Sequence, residues 1–325
     1  MPDPGERVKL GATSLHVTRL GLGCAPLANL YEASSDAQAR ATIDATWQAG
    51  IRWFDTAPLY GHGLSEQRLG AALRGRERGE VVVASKVGRL LRPGVDRETV
   101  FADIPPVRPV FDFSYDGALR SLEESLARLG LDRLDVVHVH DPDAHEAEAE
   151  RGAFRALRRL RDEGVIGAIG GGMNQSAMLA RFVERGLVDC ALVAGRYTLL
   201  DDSAERDLLP LAERSGVAVI AAGVFNSGLL AAPRTGATYD YAPASPERIS
   251  RARELEEVCD RFGVPLRAAA LQFPLRHPAV SCVLTGARSA EEIADNAEQF
   301  AVPIPAELWE ALSLARDRRR NSVTR

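Results

Sequence analysis

The chain has 325 residues, 46% of them hydrophobic and 26% charged, a globular composition without low-complexity tracts. Its net charge of −5 and pI near 5.8 leave no electrostatic footprint for nucleic acid or an anionic membrane, so neither is expected as a partner. Cys24, Cys190, Cys259 and Cys282 are scattered without CxxC pairing, as in reduced cytosolic proteins.

The opening MPDPGERVKL has neither the basic nor the apolar region of a signal peptide. The longest apolar stretch, 217–232, is broken by Asn226, Ser227 and glycines and is too short to span a bilayer. A cytoplasmic chain is expected, as a monomer or small homo-oligomer.

Taken in order, VKLGATSLHV predicts a hairpin around a Gly-containing turn. Apolar, β-branched-rich runs follow at 19–23, 51–55, 81–86, 134–140, 166–170, 188–193, 217–221 and 281–285, as expected of strands buried on both faces. Helical patterns lie between them. Segment 36–49 has Ser35 as N-cap and stops at Gly50. Segment 114–129 carries Leu119, Leu122, Leu126 and Leu129 at helical spacing and ends before Gly130. Segments 154–163 and 204–215 end before Gly164 and Gly216. Strand and helix alternating eight times predict an α/β fold, a closed (β/α)8 TIM barrel forming one domain over 1–325, with a doubly wound sheet as the alternative.

Three connections are long. Segment 87–113 is rich in proline and follows the third strand. An insert with a loop at 231–245 and two helical segments separates the seventh and eighth strands. The tail after 302 contains Trp309 and ends in the basic DRRRNSVTR. Long loops at the C-terminal face of a barrel are where specificity is set.

Ionisable residues gather at the predicted strand ends. Asp55 ends the second strand, Lys86 the third and His140 the fourth, while Tyr60 lies in the loop DTAPLYGHGLSE. Lys9 and Lys86 are the only lysines among 40 basic residues, which makes a lysine at a strand end conspicuous. A barrel brings these ends to one rim. The chemistry they suggest is proton transfer by a phenol whose pKa of about 10 is lowered by the Lys86 ammonium, itself held by Asp55. An imidazole at the rim, His140, orients a substrate oxygen.

DTAPLYG with the following SEQRLGAAL, ASK, and VVHVHDPD resemble the aldo-keto reductases, nearly end to end, through IGGGMNQ and RYTLL to TGARSAEEIADN. VHDPD, GMNQ and AGRYTLL look most like the branch of aldose 1-dehydrogenases and pyridoxal 4-dehydrogenases. The resemblance implies a catalytic tetrad of Asp55, Tyr60, Lys86 and His140 and a NAD or NADP cofactor. By motif, Asn174 holds the nicotinamide carboxamide, although the serine before it in the family pattern is Met173 and a glutamine in the sixth strand is Ala194. Tyr197 matches the aromatic that stacks on the nicotinamide. Gly223, Val224, Phe225, Asn226 and Gly228 match the segment along the pyrophosphate. Gly286, Arg288, Glu292 and Asn296 match the adenosine end. There the family's NADP-binding lysine is Gly286 and its second cationic position is Glu292, which favours NAD. The implied activity is oxidation of a small aldose at C1 to a lactone, with a pyridoxal 4-dehydrogenase or general aldehyde and ketone reductase as the alternative. The substrate partner is a small carbonyl compound or sugar.

Ser65 is expected to cap the next helix with Glu66 in its first turn, Cys24 to be a packed hydrophobe, and Arg196 is a candidate sugar or cofactor contact. Two rivals remain. His138 and His140 form an HxH pair at a strand end, as in metal-dependent hydrolases on barrels. The other histidines, His16, His62, His145 and His277, fall at no later strand end, so no metal is expected and His138 is read as an interior residue. A non-catalytic nucleotide-binding subunit is the second rival.

Overall fold

The computed structural model describes residues 2–323, and the side chains of residues 2–316. An antiparallel hairpin, β1 (Arg7–Lys9) and β2 (His16–Thr18), comes first. It is followed by β3 (Leu20–Gly23), α1 (Asp36–Gln48), β4 (Trp53–Asp55), α2 (Leu64–Leu73) and β5 (Val82–Val87). The long connection after β5 folds into a second hairpin, β6 (Arg89–Pro93) and β7 (Val107–Phe111). Then come α3 (Tyr115–Leu129), β8 (Val136–His140), α4 (Glu146–Arg151), α5 (Ala153–Asp162), β9 (Ala168–Met173), α6 (Ser176–Glu184), β10 (Cys190–Ala194), α7 (Leu208–Ser215) and β11 (Ala218–Ala222). A small hairpin of β12 (Thr238–Tyr239) and β13 (Ala242–Pro243) precedes α8 (Pro246–Asp260), α9 (Leu266–Gln272), β14 (Val280–Gly286), α10 (Ala290–Phe300) and α11 (Ala306–Val323). The basic end of the tail lies outside the described side chains.

Strands β3, β4, β5, β8, β9, β10, β11 and β14 pair in parallel and close into a barrel, so the doubly wound alternative is excluded. Helix ends follow local chemistry. Ser35 and Gln38 form a capping box at α1, and Gly130 ends α3 in the left-handed conformation that glycine adopts freely.

Strand alternation decides what enters the barrel. Trp53 and Asp55, Ala84 and Lys86, and Val136, His138 and His140 share the inward parity, while Phe54, Val83, Val137 and Val139 pack against the helices. The lower interior is apolar, built from Trp53, Val136, Ala168, Cys190 and Ile220, with Leu10 and Val17 of the first hairpin closing it. Burying each of those two plugs is worth about 1.5–3 kcal/mol. The upper interior is polar and opens at the strand C-termini.

Three expectations shift. Segment 87–113 is not a loop throughout, because Leu90 and Val110 pair across the hairpin and Pro109 sits opposite Leu91 on a two-stranded ribbon that tolerates it. The fifth strand runs three residues past Gly170, since pairing to β8 and β10 carries it through two more glycines. Gly63, not Ser65, caps α2. Ser65 is buried, donating to the Cys24 carbonyl at 2.9 Å and accepting from Thr56 at 2.8 Å, and Glu66 accepts from Ser85 at 2.6 Å.

Candidate active site

Asp55 ends β4, Lys86 is the penultimate residue of β5 and His140 ends β8, so three strands deliver three inward side chains to one level. Tyr60 opens a short turn before α2. Lys86 Nζ donates to Asp55 Oδ1 and, at 2.9 Å, to the Thr56 carbonyl, and it lies 4.8 Å from the centre of the Tyr60 ring. His140 meets the same ring edge-on, with centroids 5.9 Å apart. All four line one cavity of about 910 Å³.

Burial dominates the electrostatics. It pushes the Asp55 carboxyl up against the opposing pull of Lys86. It also pushes the Tyr60 phenol well above its ordinary value, with the Asp55 charge acting in the same direction. The expected lowering of the phenol is therefore corrected. Near neutrality Tyr60 is protonated, a proton donor at rest. Burial, together with the cations Arg89 and Lys86, holds the His140 imidazole neutral.

One end of the cavity carries a charged pair absent from the sequence expectations. Arg89, at the start of β6, donates to Asp141 at 2.8 Å, and Asp141 Oδ2 lies 3.5 Å from His140 Nε2. Asp141 adopts a left-handed backbone (φ 43), which turns its carboxylate beside His140. Leu30, Leu59 and Phe101 form the adjoining apolar wall, with Tyr31 and Tyr241 at its edge.

The other end receives Asn174, Gly223, Val224, Phe225, Asn226, Gly228, Gly286, Arg288, Glu292 and Asn296, together with Met173 and Ala194. This wall fits an extended dinucleotide. Gly223 and Gly228 have positive φ, and a Cβ at Gly228 would meet nothing within 4 Å, leaving bare backbone facing the cavity. Among the described residues Asn226 Oδ1 is buried without a hydrogen-bond partner. Arg267, which sequence reasoning missed, also lines the cavity and donates to Asn296 at 2.9 Å. Arg288 lies between two carboxylates: Glu32 at 3.4 Å and Glu292 at 3.6 Å, with its backbone N–H donating to Glu292 at 2.9 Å.

Two candidates, Tyr197 and Arg196, lie outside the cavity, and Cys24 is packed as expected. Tyr197 is buried against Phe273 with ring centres 5.0 Å apart and is not among the residues that line the cavity. Arg196 donates to the Asn174 carbonyl at 2.7 Å and pairs with Asp240 at 2.9 Å, a brace for the wall instead of a ligand contact. Cys24 is fully buried one residue behind the lining. Among the described residues no third His, Cys, Asp or Glu completes a metal-binding group with His138 and His140.

Comparison with known proteins places this geometry in context. The model of the Aldo/keto reductase family matches residues 19–316. The chain is 45% identical to a pyridoxal 4-dehydrogenase of Microbacterium luteolum, over 94% of this chain and 96% of that one. It is 43% identical to a D-threo-aldose 1-dehydrogenase of a Pseudomonas species, again over 94% and 96%. Among solved structures, an aldo-keto reductase of Bacillus halodurans in its holo form superposes with a TM-score of 0.77 at 28% identity, covering 95% of this chain and 96% of that one.

Proposed function

The chain belongs to the aldo/keto reductase family, and we propose that this oxidoreductase oxidises a small polyhydroxylated aldose at C1 to a lactone. The observation that carries the reading is the Arg89–Asp141 pair beside His140 and Tyr60. A carboxylate and a guanidinium at one level offer acceptors and donors to adjacent hydroxyls, which a pocket for a purely apolar aldehyde does not need.

A nicotinamide dinucleotide held along Asn174, the 223–228 segment and Asn296 supplies the partner for hydride when bound. The chain's residues handle the proton. Tyr60 exchanges it with the substrate oxygen, the neutral His140 offers a ring N–H to the same oxygen, and Lys86, fixed by Asp55, sets the charge beside the phenol. With Arg288 already paired to Glu32 and Glu292, a 2′-phosphate at that end meets two carboxylates and a neutralised cation. NAD is therefore favoured over NADP. Among the described residues no helix is long and apolar enough to cross a membrane, and four free, buried cysteines suit a reducing cytosol.

A second reading has its own support. The pyridoxal 4-dehydrogenase relative and the wall of Leu30, Leu59 and Phe101 fit a flat aromatic aldehyde or its hemiacetal. The deciding experiment is a panel of L-fucose, L-galactose, D-arabinose and D-galactose beside pyridoxal and benzaldehyde, followed by cofactor absorbance with NAD and with NADP. Oxidation of at least one sugar with NAD, at higher kcat/KM than pyridoxal, is expected. Inert sugars with efficient pyridoxal oxidation would transfer the assignment to the second reading.

A further inference from the structure

One imidazole beneath the site has no task in the chemistry described so far. His138 is fully buried on β8, and its side chain enters the barrel one layer below His140. Among the described residues neither of its ring nitrogens has a hydrogen-bond partner, and Nε2 lies 3.6 Å from Asp55 Oδ2. That oxygen is in the same condition. Lys86 occupies Oδ1, while Oδ2 is buried without a hydrogen-bond partner among the described residues.

The neighbouring strand is shaped around this ring. β9 carries three consecutive glycines, 170–172, in a fully buried central position where glycine weakens a strand and packs nothing. Gly170 is the register partner of His138, and a Cβ there would fall inside the imidazole. Gly172, the next inward position, would bring a Cβ to 3.5 Å from Lys86 Cε and 3.6 Å from His138 Cβ. Two inward side chains are thus absent from β9 where Lys86 and His138, themselves opposite one another across β5 and β8, lie against it.

We infer that His138 is a positioning residue whose Nε2–H closes on the free oxygen of Asp55, so that the carboxylate meets Lys86 in one orientation beneath Tyr60. The inference rests on the proton-transfer reading of Asp55, Lys86 and Tyr60. Burial, and then the Lys86 charge, hold the His138 ring neutral, so it carries one N–H. The acceptor at 3.6 Å selects Nε2 for that proton, and an N–H given to a carboxylate favours its ionised form. The other titratable groups nearby do not compete for it. His140 lies a layer above, and burial keeps Cys190 on β10 and Cys282 on β14 as thiols.

Nitrogen NMR of the histidine-labelled full chain tests this without any turnover. His138 is expected as the neutral Nε2–H tautomer from pH 5 to pH 9. An Nδ1–H tautomer, or an imidazolium at pH 7, overturns the inference. Kinetics give the second arm, using whichever panel substrate the wild type turns over. His138→Leu is expected to lower kcat roughly tenfold and move the acid limb of the pH profile up by about one unit. His138→Gln, which keeps an N–H near the place of Nε2, recovers the wild-type limb. Equal losses in both variants with an unmoved limb, or no loss in His138→Leu, would make His138 a packing residue. Because the tautomer is read without substrate, failure here is distinct from failure of the proton-transfer reading, which an active Tyr60→Phe enzyme would expose.

Discussion

A phenol enclosed beside a carboxylate holds its proton, and for Tyr60 this fixes the pH behaviour of the two directions of reaction. Carbonyl reduction needs the phenol protonated, so its turnover should stay level from neutral pH well into the alkaline range. Oxidation needs the phenolate, so kcat for oxidation should rise with pH through 7 to 10. Stopped assays in both directions check the sign, and an oxidation rate that falls across that range would contradict it. Tyr60→Phe removes the carrier and little else. Turnover should drop by at least about a hundredfold, the scale of acid–base catalysis, while cofactor affinity by fluorescence titration stays within about twofold of wild type. Asp55, Lys86 and His140 are legible in the sequence because each closes an apolar run, where an ionisable side chain stands out. The direction of the Tyr60 shift is not legible, since it depends on depth of burial. Glu32, whose carboxylate reaches Arg288 across 256 positions of chain, is equally invisible to local pattern.

At the level of elements, the hairpin of β6 and β7 borders the cavity that holds Asp55, Tyr60, Lys86 and His140. It carries Arg89 to Asp141 and is fastened at two further points. Arg92 donates to Glu124 on α3 at 2.9 Å, and His62 in the Tyr60 turn contacts the Val107 carbonyl at 2.8 Å through Nδ1 and Asp96 at 3.2 Å through Nε2. His62 is buried with a left-handed backbone (φ 52), which sets its ring between the catalytic turn and the hairpin. His62→Ala should therefore loosen the hairpin and spare the barrel. KM for the preferred substrate should rise about tenfold with kcat within about threefold, and limited proteolysis should cut within 94–106. An unchanged KM would show that the hairpin keeps its place without this clasp. The sequence disguises the hairpin because prolines interrupt its alternation, so 87–113 has the pattern of a loop. The barrel strands, in contrast, are nearly continuous apolar runs and stand out at once, apart from β9, whose glycines end the apolar signal where the pairing does not.

Across the whole molecule, an apolar lower barrel supports a polar upper one. Trp53, Ile220 and the Leu10–Val17 plug fill the first, while Asp55, Lys86, His138 and His140 occupy the second at the expense of desolvation. The cost has a definite pH signature. His138 and His140 are held below the ordinary imidazole value of 6.5 by burial and by Lys86, with Arg89 also acting on His140. The folded chain thus refuses protons that the unfolded chain accepts below about pH 6.5. Their contribution to stability is full above that pH and is lost progressively as pH falls toward their folded values, at about 1.4 kcal/mol per pH unit for each ring. Asp55 and Asp141, raised by burial, act in the opposite sense: their contribution is full below about pH 4 and is lost as pH rises through their folded values, which opposes the histidine slope on the acid side. The melting temperature should accordingly be level from pH 8 to 7 and decline from pH 6.5 to 5 by a few degrees per unit, on the order of 2–4 °C for each titrating ring. His138→Gln removes one of the two rings from the balance and should halve that slope. Melting curves at matched ionic strength check it, and a wild-type profile flat from pH 7 to 5 would mean that neither imidazole is held neutral by the fold.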